Sequence, residues 1–354
     1  MSNISRIREA LRETNCDAML VTNQISRLFA TGFSSSAGAL LVTESSAWFY
    51  TDSRYIEAAE AAIKDAEVIL VGGNDKLTDV VCARANDISV RAIGFEDGNV
   101  SFASHKNWAD KLNAEMVSAG QLLSNLRNIK SRDDLNKMIA AQCLAEKVFE
   151  ETLPLINTDV TEKDIAAEII YKLLKGGAED KAFDPIVVSG TNSSRPHGVP
   201  GNGKIAKGFL TIDFGVKVNG WCSDTTRTLC VGKPDDEMVK IYNTVLQAQE
   251  AGIEAVRGGV SGVDVDKAAR DMIDAAGYGE YFGHGFGHSL GLEVHESLSA
   301  SPASKDTLPT GAVISAEPGI YIPGKYGVRI EDVLYITDTG CENITNLPKK
   351  LIVL

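Results

Sequence analysis

The stretch Thr211 to Thr228, TIDFGVKVNGWCSDTTRT, restricts the fold of the chain more than any other segment. At its centre Asn219-Gly220 suits the positive φ angles of a two-residue type I′ turn, and β-branched and polar residues alternate on both sides, so the segment reads as a β-hairpin. With Val218 paired to Trp221, the register sets Gly215 opposite Asp224 and Asp213 opposite Thr226. Opposite residues share a face, which makes Asp213 and Asp224 diagonal neighbours, roughly 7–8 Å apart at the backbone. Two carboxylates so close are costly to hold unless a proton or a cation lies between them. A bulge would change that register, and a solvated strand face carrying two Asp residues is the plain alternative.

At 354 residues the chain is long for a single core and reads as two domains. A net charge of -13 argues against general nucleic-acid binding, which needs a basic footprint. No apolar run is long enough to span a bilayer, and the opening MSNISRIREALRETNCDAML lacks the apolar core of a signal peptide. The six Cys, at 16, 82, 143, 222, 230 and 341, include no C-x-x-C pair, so a reducing cytoplasm is expected.

The segment to about residue 127 has the pattern of an α/β domain: a short helix through Ile4, Ile7 and Leu11, strands at 18–22, 39–43 and 47–51, and a helix over 58–63. Little in it announces chemistry. His105 stands alone near Trp108, and Asp52, Arg54 and Tyr55 either reach a site elsewhere or form a local salt bridge. A boundary is expected near 128–131. Ser131 with Asp134 starts a helix to about Leu153, and Thr161 with Asp164 starts another ending at Gly176-Gly177. Strand Ile186 to Ser189 and the Asp hairpin follow. Beyond Pro234 the order recurs, with helices to about Val256 and from Asp264 to Ala276, then strands Val313 to Glu317 and Val328 to Thr337. Helix, helix, hairpin given twice implies two pseudo-symmetric units whose strands join in one curved antiparallel sheet, backed by helices and concave on its open side.

The second unit supplies partners for the Asp pair. Glu317 ends an apolar strand at Glu317-Pro318-Gly319, and in Val328-Arg329-Ile330-Glu331 alternation sets Arg329 and Glu331 on one face. The turn residues Pro323 to Gly327 allow both Glu to lie on adjacent strands. Between the hairpins runs HGFGHSLGLEVHE, which holds three of the five His residues of the chain, His284, His288 and His295. Asp213, Asp224, one His, Glu317 and Glu331 form an oxygen-rich set with a single imidazole, suited to two divalent ions in a hydrolase.

These residues carry a resemblance. From 128 to 354 the chain is similar to the catalytic domain of the "pita-bread" metallopeptidases, the group of methionine aminopeptidase, aminopeptidase P and prolidase, through DFG with SDTTRT, SGTNSSRPHGVP, HGFGHSLGLEVHE, SAEPGIY and GVRIED. The resemblance implies that Asp213, Asp224, His288, Glu317 and Glu331 bind two metal ions, with Asp224 and Glu331 bridging, and that Glu317 is the general base. It further implies that His197, His284 and His295 surround the substrate and its tetrahedral intermediate. Arg329 matches the arginine beside the metal-binding Glu, either orienting Asp224 or Glu331 or balancing charge. The implied ions are two per subunit, manganese first, with cobalt, zinc or iron as alternatives.

Residues 1–127 resemble the creatinase/prolidase N-terminal domain through Arg27 to Phe33 and Tyr50 to Tyr55, whereas methionine aminopeptidases usually lack such a domain. The implied architecture is therefore an α/β domain over 1–127 and a catalytic pita-bread domain over 128–354. The implied function is a cytoplasmic, homodimeric Xaa-Pro peptidase acting on proline-containing peptides, either an aminopeptidase P or a Xaa-Pro dipeptidase, with no nucleic-acid or membrane partner. The competing expectations are a metal enzyme with a non-peptide substrate and a metal-free binding module on the same fold.

Overall fold

Ile4, Ile7 and Leu11 recur at helical spacing, and helix α1 (Asn3–Leu11) turns all three inward, with the Ser2 side chain capping the Ser5 N–H. The computed structural model describes residues 2–354, which separate into two units between Arg127 and Asn128. In the first unit, strands β1 (Ala18–Val21), β2 (Ala39–Thr43), β3 (Ala47–Thr51), β4 (Glu67–Leu70), β5 (Ala92–Phe95) and β6 (Glu115–Ser118) form one sheet in the order β4-β3-β2-β1-β5-β6. Strand β2 is antiparallel to both neighbours, and the other pairs are parallel. Helices α2 (Gln24–Thr31), α3 (Ile56–Ala62), α4 (Leu77–Asp87), α5 (Phe102–Ala109) and α6 (Gly120–Asn128) connect the strands. Met19, Val21, Leu40 and Phe49 meet Ile4 and Ile7 on one face, while Leu20, Leu41, Trp48 and Tyr50 meet Val81 and Trp108 on the other. Both faces are covered, which is why these strands read as unbroken apolar runs. Asp52 and Arg54 form a local salt bridge at 2.7 Å, and the His105 ring lies 5.0 Å from that of Phe95.

The second unit opens with α7 (Arg132–Thr152) and α8 (Glu162–Lys175), each begun by a reciprocal cap, Ser131 with Asp134 and Thr161 with Asp164. Strands β7 (Asp180–Lys181), β8 (Ile186–Ser189), β9 (Gly208–Phe214), β10 (Val216–Val218), β11 (Trp221–Cys222) and β12 (Thr225–Val231) follow. After α9 (Asp236–Ala255), the short β13 (Val260–Ser261) and α10 (Gly262–Ala275) come β14 (Gly287–His288), β15 (Ser299–Ala300), β16 (Thr307–Leu308), β17 (Val313–Ala316), β18 (Gly319–Ile322), β19 (Tyr326–Arg329), β20 (Asp332–Ile336) and β21 (Cys341–Asn343). The order of helix, helix and hairpin runs twice. Helices α7 and α8 pack Ala145, Phe149 and Ile169 on Ile212 and Phe214, while α9 and α10 pack Val245 and Ala269 on Phe286 and Ile314.

The two hairpins share a construction. In the first, Asn219 and Gly220 adopt φ of 50° and 79°, Val218 pairs with Trp221, and Asp213 pairs with Thr226. One register runs through both ladders, without a bulge, although pairing lapses at Gly215 and at Ser223-Asp224. In the second, β17 pairs with β20 through Ala316 and Asp332, and β18 with β19 through Gly319 and Arg329, again in one register. Glu317 and Glu331 lie opposite each other at the lapse, where Pro318 has no N–H to give. Asp224, Glu317 and Glu331 therefore occupy interruptions, whereas Asp213 sits in regular strand β9 opposite Thr226. These lapses divide the strands into separate ladders, in place of a single continuous sheet, and the halves are joined by the Glu331 N–H on Thr226 O at 3.1 Å and Thr228 Oγ1 on Arg329 O at 2.9 Å. Among the described residues no helix is long and apolar enough to cross a membrane.

Candidate metal centre and active site

A cavity of about 690 Å³ in the second unit is lined by all nine residues singled out in the sequence: Asp213, Asp224, Glu317, Glu331, His197, His284, His288, His295 and Arg329. Asp224, Glu317 and Glu331 come from the hairpin interruptions, Asp213 comes from β9 beside the first of them, and His288 enters from β14, where its N–H donates to Ser315 Oγ at 3.0 Å. One side-chain atom each of Asp224, His288 and Glu331 lies within 4.8 Å of the others. His288 Nδ1 faces its neighbour's carbonyl, Ser289 O, at 3.3 Å, so Nδ1 carries hydrogen and Nε2 turns to the carboxylates, 3.2 Å from Glu317 Oε1 and 3.6 Å from Asp224 Oδ2.

Arg329 pairs with Asp213, not with Asp224 or Glu331. Its Nη2 donates to Asp213 Oδ2 at 2.5 Å, and its Nε lies 3.8 Å from Glu317 Oε2. It reaches Glu331 only through Thr226, whose hydroxyl accepts from Arg329 Nε at 3.2 Å and donates to Glu331 Oε2 at 2.7 Å. Of the sequence expectations for Arg329, direct pairing with Asp224 or Glu331 gives way to pairing with Asp213, while a link to Glu331 through Thr226 and a charge-balancing role are both compatible with that pairing. Cross-strand geometry is the reason, since Arg329 extends from β19 toward β9 and β12, where Asp213 lies opposite Thr226.

Burial pushes the Asp213 carboxyl above its ordinary range, although Arg329 opposes the shift. Burial, then the charge of Asp213, pushes Asp224 well up, and burial, then the charge of Asp224, does the same to Glu331. Glu317 moves the other way. Burial penalises its charge, but His288, His284 and Arg329 together lower its pKa, while Glu317 in turn raises His288 against its own burial. Asp213 Oδ1 and Glu331 Oε1 are buried without a hydrogen-bond partner. A carboxylate cluster that cannot fully ionise on its own, with two buried oxygens unmet and an imidazole nitrogen turned inward, fits divalent cations.

The sequence reading missed Tyr321. Its hydroxyl accepts from Arg329 Nη1 at 2.8 Å and donates to His284 Nε2 at 3.0 Å, because His284 Nδ1, 2.8 Å from Gly285 O, already carries the ring hydrogen. His284 is thus a neutral imidazole, and burial lowers its pKa. Tyr321 pairs with Gly327 and Arg329 with Gly319 on one face of the β18–β19 hairpin, each large side chain facing a glycine; counting outward from the Gly324 turn would have found it. Glu162, the first residue of α8, is a second residue missed. Its carboxylate accepts from Ser189 N at 2.6 Å, Asn192 Nδ2 at 2.8 Å and Gly201 N at 2.8 Å, which fixes the loop carrying His197. On α10, Arg270 donates to Phe282 O and His284 O at 2.8 and 2.7 Å and pairs with Asp266, which in turn accepts the Phe286 N–H.

Residues 136–338 match the model of metallopeptidase family M24, and residues 3–129 match that of the creatinase/prolidase N-terminal domain. Among solved structures, a Xaa-Pro dipeptidase from Bacillus anthracis is 38% identical, with a TM-score of 0.96 over 99% of each chain. An X-Pro aminopeptidase from Thermotoga maritima is 35% identical, with a TM-score of 0.92 over 98% of this chain and 100% of the other. An uncharacterized peptidase of Bacillus subtilis is 37% identical over 99% of both chains.

Proposed function

The chain belongs to metallopeptidase family M24 and carries a creatinase/prolidase N-terminal domain, and on that premise we propose that it is a dinuclear-metal Xaa-Pro peptidase that cleaves the bond between an N-terminal residue and proline. The observation that carries this reading is the convergence of Asp213, Asp224, His288, Glu317 and Glu331 on one cavity with two buried carboxylate oxygens unmet. These five would hold the ions, manganese first. When bound, such ions polarise a carbonyl and lower the pKa of a water.

The residues of the chain supply the rest. Glu317, which faces the cavity beside His288, is the acceptor for the proton of the attacking water. A proline leaving group has no N–H and departs only when its nitrogen is protonated. Glu317 gives that proton back through an imidazole, and His197 and His295, both exposed in the cavity, are the candidates. His284, neutral, spends its one N–H on Gly285 O and accepts from Tyr321 at Nε2, so its part is to line the cavity and hold the Tyr321 hydroxyl. Phe183, Ile186, Val199 and Val294 give the cavity an apolar wall suited to a pyrrolidine ring.

A cytoplasmic homodimer goes with this reading, and the six unpaired cysteines support a reducing compartment. The test is hydrolysis of a Xaa-Pro dipeptide, a Xaa-Pro tripeptide and a Xaa-Ala control by the manganese-loaded protein. Cleavage confined to the proline peptides is expected, and the faster of the two decides between dipeptidase and aminopeptidase. Two bound metals with neither proline peptide cleaved would favour a non-peptide substrate.

A further inference from the structure

Lys130 and Glu296 form an ion pair at 2.6 Å, with side chains 0% and 3% exposed. The chemistry proposed above uses neither. A buried pair of this kind is a poor source of stability, because desolvating both ions offsets their attraction, and its best use is to select one arrangement of the chain.

The arrangement it selects is a loop of the cavity. Ser289 closes that loop on itself, donating its N–H to Leu298 O at 2.8 Å, accepting the Glu296 N–H at 2.8 Å, and accepting the Leu298 N–H on Oγ at 2.9 Å. The closed loop begins one residue after His288 and carries His295, whose ring lies 4.1 Å from that of His288. The segment 128–130 grips the two residues that follow His295: Lys130 Nζ holds Glu296, and Asn128 Oδ1 accepts from Ser297 Oγ at 3.0 Å. Lys130 is itself fastened by its N–H on Gly311 O at 2.8 Å. Across the loop, Cys222 donates its N–H to Gly291 O at 2.7 Å, two residues before Asp224. Gly291 leaves no slack, since a Cβ there would lie 2.9 Å from both carboxylate oxygens of Glu296 and from Lys130 Cε.

We infer that Lys130 is a positioning residue that acts through Glu296 to hold His295 over His288 in the cavity. The inference rests on the proposed function, in which His295 contacts the substrate.

A double-mutant cycle on the manganese-loaded protein tests it, with Lys130→Met, His295→Ala and the double variant assayed on a Xaa-Pro dipeptide. Lys130→Met lowers kcat by about 10-fold to 100-fold, as for a misplaced catalytic group, with KM within about twofold and metal content unchanged. In the His295→Ala background it lowers kcat no further, and Lys130→Arg restores most of the rate. If Lys130→Met does not fold, Gly291→Ala, which alters no charge, replaces it in the same cycle. Additive losses, or a Lys130→Met enzyme of normal kcat, overturn the positioning role alone. Wild-type protein that cleaves no Xaa-Pro peptide overturns the role and the proposed function together.

Discussion

Asp213 Oδ1 and Glu331 Oε1 are buried polar atoms with no partner, and a native fold tolerates such atoms where a bound group completes them. Around them three carboxyls are pushed toward neutrality while Glu317 stays ionised against His288. Glu317→Gln removes the proton acceptor and keeps the shape, so kcat is expected to fall by about 10²- to 10⁴-fold with the far-ultraviolet circular dichroism unchanged. A normal kcat would remove Glu317 from the role of base. Tyr321→Phe deletes the hydroxyl that joins Arg329 to His284, a bond to a charged group worth about 1.5–3 kcal/mol, and is expected to lower kcat at least tenfold while Arg329 keeps Asp213. Unchanged turnover would make that hydroxyl idle. The nine cavity residues were legible because their types recur in motifs, whereas Tyr321 and Glu162 were not. Glu162 depends on which loop lies above a helix N-terminus, which spacing along the chain does not encode, whereas Tyr321 follows only once strand positions are counted outward from the Gly324 turn.

The hairpins were the most legible elements, because Asn219-Gly220 and the Pro323 to Gly327 turn each fix a register that the pairing then follows. The lapses that divide them were not, since Asp224 and Glu331 continue the alternation as if the strand ran on. In the first unit β1 to β3 announced themselves as apolar runs, and the short helix α2 is bounded by the Asn23 cap and by Gly32 at φ 71°. Helix α9 offers a test of how elements are packed. An alanine at a helical glycine ordinarily gains about 1 kcal/mol. At Gly252 a Cβ would lie 2.2 Å from the fully buried Phe286 ring, whose backbone N–H is held by Asp266. Gly252→Ala is therefore expected to destabilise the protein by about 1–3 kcal/mol in denaturant unfolding. A neutral or stabilising result would mean that Phe286 gives way freely.

At the scale of the molecule, two units with separate cores accompany one acidic cavity confined to the second. Ions that complete the cluster bind the folded state alone, so their removal lowers stability, by about 2.7 kcal/mol per site when the free metal had stood at 100 times its Kd. The metal-stripped protein is expected to melt several degrees below the manganese-loaded one, and identical melting curves would argue against metal at the core of this unit. The central claim is that the same cluster makes the protein a peptidase, and titration tests it most directly: manganese is added to metal-stripped protein while bound metal and hydrolysis of a Xaa-Pro dipeptide and tripeptide are followed together. The account predicts that cleavage of at least one appears as the sites fill and reaches its plateau at two ions per chain. Full activity in the presence of a chelator, or two bound ions with neither peptide cleaved, would contradict it.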